Sequence, residues 1–314
     1  MNKYAIGIDV GGTFIKSAVI EPDGNILYYN EHETPAVKPE QFVNLLGYIS
    51  ELLIEENKLN KENCLGIGLG FPGFVNPESG IVANAPNLPK WKEYNVVKAM
   101  EKWIKLPVFI NNDANAAIMA EKLWGSGKDF SNIVGLTLGT GVGGGIIIDG
   151  HLFIGASYSG AELGHIVIDM NGPKCSCGKY GCLEAFIGER GFIREAKVQR
   201  KKDKGSLLWT INDGKLDAKS IEEAAHGDDA AAKKSLNNLA RYLAIGIVSI
   251  CETINPEIVI IGGGLSNFGE LLYNPLIKHV KRIKMIAPRP IIRFSKLKNK
   301  AGVLGASAPV FIKN

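Results

Sequence analysis

Two stretches 128 residues apart share one pattern: Ile6-Gly7-Ile8-Asp9-Val10-Gly11 and Val134-Gly135-Leu136-Thr137-Leu138-Gly139. Each is an apolar run that stops at a glycine turn, and each is followed by a second apolar run, at residues 14–20 and 146–148. Strand, glycine-rich turn and returning strand are therefore used twice. A chain built this way is constrained towards a duplicated α/β domain whose two hairpins serve one ligand, because open α/β folds bind ligands at strand edges and turns. Its 314 residues are too many for one small core and suit two lobes.

The spacing of apolar and turn residues predicts the other elements. Strands are expected at residues 4–9, 14–20 and 25–29, the last two joined by Pro22-Asp23-Gly24. Phe42, Leu45, Leu46, Ile49, Leu52 and Leu53 recur at helical spacing, with Pro39 suited to a first turn, so a helix is expected over 39–57. A strand at 65–69 leads into a turn-rich loop through Pro89. A helix at 95–103, a strand at 108–111 and a helix at 114–124 follow. The second cycle has a strand at 133–138, a turn over 139–145 and a strand at 146–148. Residues 164–188 are glycine- and cysteine-rich and read as irregular, and 201–214 as a polar surface excursion. Helices are expected at 221–225 and 230–254, a strand at 257–261, a helix at 267–283, a strand at 291–294 and a helix from 301.

Three glycine turns carry the first chemistry. Asp9-Val10-Gly11-Gly12-Thr13 with Lys16 offers backbone N–H groups, a hydroxyl and a cation to a phosphate, and Asp9 could hold hydrated Mg²⁺. Gly139-Thr140-Gly141-Val142-Gly143-Gly144-Gly145 has five glycines in seven residues between apolar runs. Glycine weakens a strand pair, so close approach of the backbone to phosphate is the better reason for it. Gly262-Gly263-Gly264 lies between a strand and a helix, where a nucleotide can lie. There is no G-K-[ST] ending and no G-x-G-x-x-G at a strand-to-helix turn, which argues against P-loop and dinucleotide-binding proteins.

Asn111-Asn112-Asp113-Ala114-Asn115 falls between a strand and a helix. Asp113 can there act as a helix N-cap or as a general base that accepts a hydroxyl proton in phosphoryl transfer, with Asn112 hydrogen-bonding a neighbouring hydroxyl. Further on, His165, Cys175, Cys177 and Cys182 are spaced H-x9-C-x-C-x4-C. One imidazole and three thiolates fill a tetrahedral Zn²⁺ shell and leave no open position, so a structural zinc is expected. Glu162 and Glu184 flank this loop and can supply hydrogen-bond acceptors to a sugar.

Composition narrows the remaining classes. The chain is 46% hydrophobic and 22% charged, which excludes disorder. A net charge of +4 gives no reason to expect nucleic acid. No signal peptide and no membrane-spanning run are read, and five cysteines are not a disulfide framework, so a cytoplasmic protein is expected.

The motifs above, with Phe71-Pro72-Gly73, Asn84-Ala85-Pro86-Asn87-Leu88 and Glu162-Leu163-Gly164-His165, resemble those of the ROK sugar kinases in nearly the whole chain and in the family's order. The resemblance implies an actin/hexokinase-like (ribonuclease H-like) two-lobed fold with an active-site cleft. It implies a small lobe of residues 1–112 plus 301–314 and a large lobe of 113–300 with the zinc loop. It implies Asp113 as base, sugar contacts from Asn87, Asn112, Asp113, Glu162, His165 and Glu184, Mg-ATP as the phosphoryl donor, and a homodimer or homotetramer. Hexose phosphorylation is the expected activity, with glucose to glucose 6-phosphate first and N-acetylmannosamine, fructose, mannose or allose as alternatives. A sugar-responsive repressor is the rival from another class. With the first hairpin starting near residue 4, no DNA-reading unit is expected ahead of it. One departure from the family is Ala185-Phe186-Ile187-Gly188-Glu189-Arg190, where small residues are expected.

Overall fold

The computed structural model describes residues 3–88 and 90–313; Pro89, where the expected loop ends, lies outside them. The chain opens with β1 (Tyr4–Val10), β2 (Phe14–Ile20) and β3 (Ile26–Glu33). β1 is apolar and almost wholly buried, as a strand covered on both faces must be, whereas β3 alternates in exposure along a sheet edge. α1 (Pro39–Glu56) buries Phe42, Val43, Leu46, Ile49 and Leu53 on one stripe. β4 (Cys64–Phe71) follows, then three short strands, β5 (Phe74–Asn76), β6 (Ile81–Asn84) and β7 (Tyr94–Asn95). α2 (Val96–Ile104) is capped by Asn95, which accepts from the Lys98 N–H at 2.9 Å. β8 (Val108–Asn112) runs directly into α3 (Asp113–Trp124).

The second cycle has β9 (Ile133–Leu138), β10 (Val142–Ile148) and β11 (His151–Leu152), then α4 (Leu183–Ile187), α5 (Glu189–Lys202), α6 (Ala218–His226) and α7 (Ala230–Ile254). β12 (Ile258–Gly262), α8 (Glu270–Arg282), β13 (Ile291–Phe294) and α9 (Ala301–Lys313) complete it. One five-stranded sheet has the order β3-β2-β1-β4-β8 and the other β11-β10-β9-β12-β13. In the first, β1, β4 and β8 are parallel; in the second, β9, β12 and β13 are. The duplicated α/β pattern expected from the repeat is thus present in the strand order.

Three expectations differ from the structure. The loop to residue 89 contains β5 and β6, which with β7 just beyond it form a small sheet whose strands are too short to leave a periodic signal. β10 begins at Val142, so Gly143, Gly144 and Gly145 are strand rather than turn. α5 was not expected, because among its 14 residues only Gly191, Phe192 and Ala196 are buried and charged residues make up most of the rest.

The chain divides into two compact units. One comprises Met1–Ser131, Gly145–Ala161 and Lys296–Asn314, the other Asn132–Gly144 and Glu162–Ser295. The expected boundary at 112/113 falls inside the first unit. The reason is α3, which is continuous with β8 and lies against α9: a Cβ at Gly305 would overlap the Ala116 carbonyl. α9 also lies directly on the first sheet. Side chains at Gly7 and Gly68 would overlap the Val303 and Ala306 carbonyl oxygens. On the sheet's other hydrophobic cluster, Phe42, Phe71 and Trp91 pack with ring centroids 4.9–6.0 Å apart. Among the described residues no helix is long and apolar enough to cross a membrane.

Candidate active site

In the first unit the polar residues gather at the carboxyl ends of parallel strands. Asp9 of β1 pairs with Gly70 of β4, and Gly70 with Asn111 of β8, so Asp9 and the Asn112-Asp113 corner sit on one edge of the sheet. This edge is where open α/β folds bind ligands. Burial lifts the Asp9 carboxyl to about 6, and the Lys16 ammonium pulls the other way. Lys16 stands directly opposite Asp9 across the β1–β2 ladder. The turn between the strands closes through the Gly11 N–H, which donates to the Phe14 carbonyl at 2.9 Å. The Thr34 hydroxyl holds the Gly11 carbonyl at 2.8 Å. Gly12 and Thr13 are exposed at the tip.

The corner after β8 bears on the cap reading of Asp113. Asn112, not Asp113, caps α3: its Oδ1 accepts from the Ala114 and Asn115 N–H groups at 3.0 and 3.2 Å. Asp113 is the first helical residue, half-buried, with Oδ1 2.9 Å from the Ala114 N–H. A carboxylate in the first turn is favoured by the helix dipole. Asn112 Nδ2 donates to the Gly73 carbonyl at 3.1 Å, which ties the corner to the Phe71-Pro72-Gly73 segment. Gly73 in turn abuts Asn84 and Ala85, for which a side chain at 73 would leave no room. Three residues on, the Asn87 Cβ lies 3.2 Å from where a Cβ of Gly12 would be. The small sheet therefore brings the expected sugar contact Asn87 to the first glycine turn.

In the second unit the other two glycine turns meet. Gly263 has φ +83°, and a Cβ there would overlap the Leu138 carbonyl and amide, so only glycine permits this approach. Gly139 and Gly264, by contrast, would meet nothing within 4 Å if given a side chain. They form an open, glycine-lined surface. The α4–α5 junction borders it, with the Glu189 N–H donating to the Gly139 carbonyl at 2.9 Å.

The expected metal ligands also come together. Single donor atoms of His165, Cys175, Cys177 and Cys182 all lie within 4.8 Å of one another. Cys175 Sγ is 3.7 Å from His165 Nδ1, and Cys177 Sγ is 3.7 Å from Cys182 Sγ. Four donors about 2.0–2.3 Å from a central ion would stand close to these separations, so the set fits a tetrahedral Zn²⁺. Burial first, then the neighbouring thiols, push Cys182 up to about 12. A dication at the centre inverts that logic and favours thiolates. The knuckle is closed by backbone bonds, from Cys175 N–H to Lys179 at 2.8 Å and from Gly178 N–H to Cys175 at 3.1 Å.

Glu184 joins the knuckle to the second glycine turn. Its Oε1 accepts from the Ser176 hydroxyl at 2.6 Å and its Oε2 from the Val142 N–H at 3.0 Å. Burial opposes ionisation, but these donors and the His165 ring outweigh it and hold the carboxyl below its usual range. Glu162 is exposed just before the short 3₁₀ turn Leu163–His165, and its carbonyl accepts from the His165 N–H at 3.0 Å. Within one unit the structure thus gathers Asp9, Gly11, Gly12, Thr13, Lys16, Asn87, Asn112 and Asp113. Within the other it gathers Gly139, Thr140, Gly141, Gly143, Glu162, His165, Glu184, the three thiols and Gly262–Gly264. Two contributors carried no sequence signal: Ser176 is the unspecified residue of C-x-C, and Thr34 follows the edge strand β3.

Two sheets of one strand order, each with its glycine turn at the same corner, make this an α/β protein of the actin/hexokinase-like class. A family model described as "ROK family" matches residues 5–311, and the chain belongs to that family. It is 36% identical over 309 residues to a glucokinase of Thermotoga maritima, covering 96% of each chain. It is 34% identical to a xylose repressor of Caldicellulosiruptor bescii, covering 97% of this chain and 77% of the repressor. Among solved structures, a ROK family glucokinase from Streptomyces griseus in complex with glucose and AMPPNP superposes with a TM-score of 0.84 at 32% identity, covering 99% of this chain and 100% of the other.

Proposed function

We propose that the chain is an ATP-dependent hexose kinase that transfers the γ-phosphoryl group to a sugar hydroxyl, with glucose and its 6-hydroxyl as the first substrate. One observation carries the reading. Asn112 takes over the cap of α3, so the neighbouring Asp113 carboxylate stands at the first helical position, on the strand edge it shares with Asp9. The family membership and the kinase relatives support it.

In this reading Asp113 accepts the proton of the attacking hydroxyl as its oxygen bonds to the γ-phosphorus. The bond to the β–γ bridging oxygen breaks and ADP departs. Such transfer is mostly positioning and charge stabilisation. Asn87, Glu162, Glu184 and His165 hold the other hydroxyls, and Asn112 contributes the amide N–H that Gly73 does not use. The turn N–H groups at 11–13, 139–143 and 262–264 and the Lys16 ammonium receive the phosphates. Mg²⁺ arriving with ATP would supply charge neutralisation at the phosphates, and Asp9 would be the residue to hold it through water. Zn²⁺ in the His165, Cys175, Cys177, Cys182 set is structural. With Nδ1 turned to the thiols, His165 keeps Nε2 for sugar.

Asp113→Asn keeps cap and fold, so ATP binding is expected to persist while sugar-dependent ADP release falls at least ~10²-fold. Glucose, N-acetylmannosamine, fructose, mannose and allose, each assayed with Mg-ATP, rank the substrates. Near-wild-type turnover by Asp113→Asn would remove the base from this scheme.

A further inference from the structure

Glu184 sits on α4, a helix of only five residues that cannot hold a long side chain by packing alone. Its carboxylate is instead held from two sides. The Val142 N–H fixes Oε2 from the glycine turn, and the Ser176 hydroxyl fixes Oε1 from the knuckle. The turn is shaped for this: a Cβ on Gly141 would lie 2.6 Å from Oε2. Cys175 Sγ is also near, 3.4 Å from Oε1, but a thiolate bound to metal has no proton to donate. With zinc in place, Ser176 is therefore the one side-chain donor on that oxygen among the described residues. Ser176 lies between Cys175 and Cys177, so two metal ligands set its backbone position.

We propose that Ser176 is a positioning residue that sets the affinity for sugar by orienting the Glu184 carboxylate. A carboxylate has about four lone-pair sites. Two are taken by Ser176 and Val142, and the rest are aimed in a fixed direction for sugar hydroxyls. Removing Ser176 leaves a single tether and lets the group rotate about its terminal bond. The zinc knuckle thus acts on sugar through one hydroxyl as well as through His165. The inference rests on Glu184 being a sugar contact.

The test compares Ser176→Ala, Ser176→Thr and Glu184→Gln in the zinc-loaded protein. Sugar affinity is measured by calorimetry without nucleotide, zinc by metal analysis, and kcat and KM by ADP release. For Ser176→Ala we expect one zinc per chain, a sugar Kd raised about tenfold, the order of a hydrogen bond to a charged group, and kcat at saturating sugar and KM for ATP within about twofold of wild type. Ser176→Thr keeps the hydroxyl and should restore the Kd. Wild-type sugar affinity in Ser176→Ala, when Glu184→Gln weakens sugar binding, overturns the inference alone. Wild-type affinity in Glu184→Gln overturns the underlying reading as well. Loss of zinc in step with loss of affinity assigns Ser176 a structural role and also overturns it.

Discussion

The two hairpins β1–β2 and β9–β10 turn at matching positions: the first strands end at Val10 and Leu138, and the second run Phe14–Ile20 and Val142–Ile148, all offset by 128. Their contents differ. The first places a carboxylate and an ammonium opposite each other, Asp9 and Lys16. At the same positions the second has Thr137 and Gly144 and brings in its negative charge from outside, as Glu184 on the Val142 N–H. The turns also close differently, by Gly11 N–H to Phe14 in one and by Gly139 N–H to Gly141 in the other. One backbone frame can therefore be specialised twice, once around fixed charges and once around bare peptide groups.

The sharpest way to break this contrast is at the second hairpin's support. Gly263→Ala forces a side chain at φ +83° into the Leu138 carbonyl. It should cost on the order of 3–5 kcal/mol, read as a lower denaturant midpoint. The first hairpin should respond in the opposite direction. The Asp9 carboxyl is raised to about 6 from an unfolded value near 3.8. Both states are protonated below pH ~3.8, so its ionisation penalty is absent there; it grows as pH rises and is complete above ~6. Asp9→Asn should thus gain on the order of 2–3 kcal/mol above pH 6, nothing below pH 4, and lose ATP turnover. Equal stability at all pH values would show that the charge is not strained. The smallest effect is expected at Gly264, where a side chain meets no protein atom. Gly264→Ala should stabilise by about 0.4–1 kcal/mol through the unfolded chain, while KM for ATP rises. An unchanged KM would remove that turn from the nucleotide site.

Much of this architecture is legible in the residues. α7 runs Ala230–Ile254 as its apolar spacing predicts, and the strand boundaries follow the apolar runs closely. Illegible parts had physical reasons. α5 carries too few apolar residues to show a stripe, and β5–β7 are two to four residues long. Glycines 143–145 look like turn residues because nothing in their type says that β10 continues through them. At the site, residue types point to the metal set, whose donors converge as the spacing predicts. The division of labour between Asn112 and Asp113 is not readable, because either residue caps a helix well. Nor is Ser176, whose hydroxyl acquires meaning only from the carboxylate folded next to it.

The bare glycines under α9 have a consequence for how the molecule is made. Gly7 and Gly68 leave the faces of β1 and β4 open to a backbone that arrives only with residues 303–306. During synthesis the first sheet emerges early, yet its covering layer is still inside the ribosome some 230 residues later. Until then those strands lack their covering layer, and Asp9 lacks the neighbour that Gly302 provides. The half that carries Asp113 is therefore complete only when residues 301–313 lie on β1, β4 and α3.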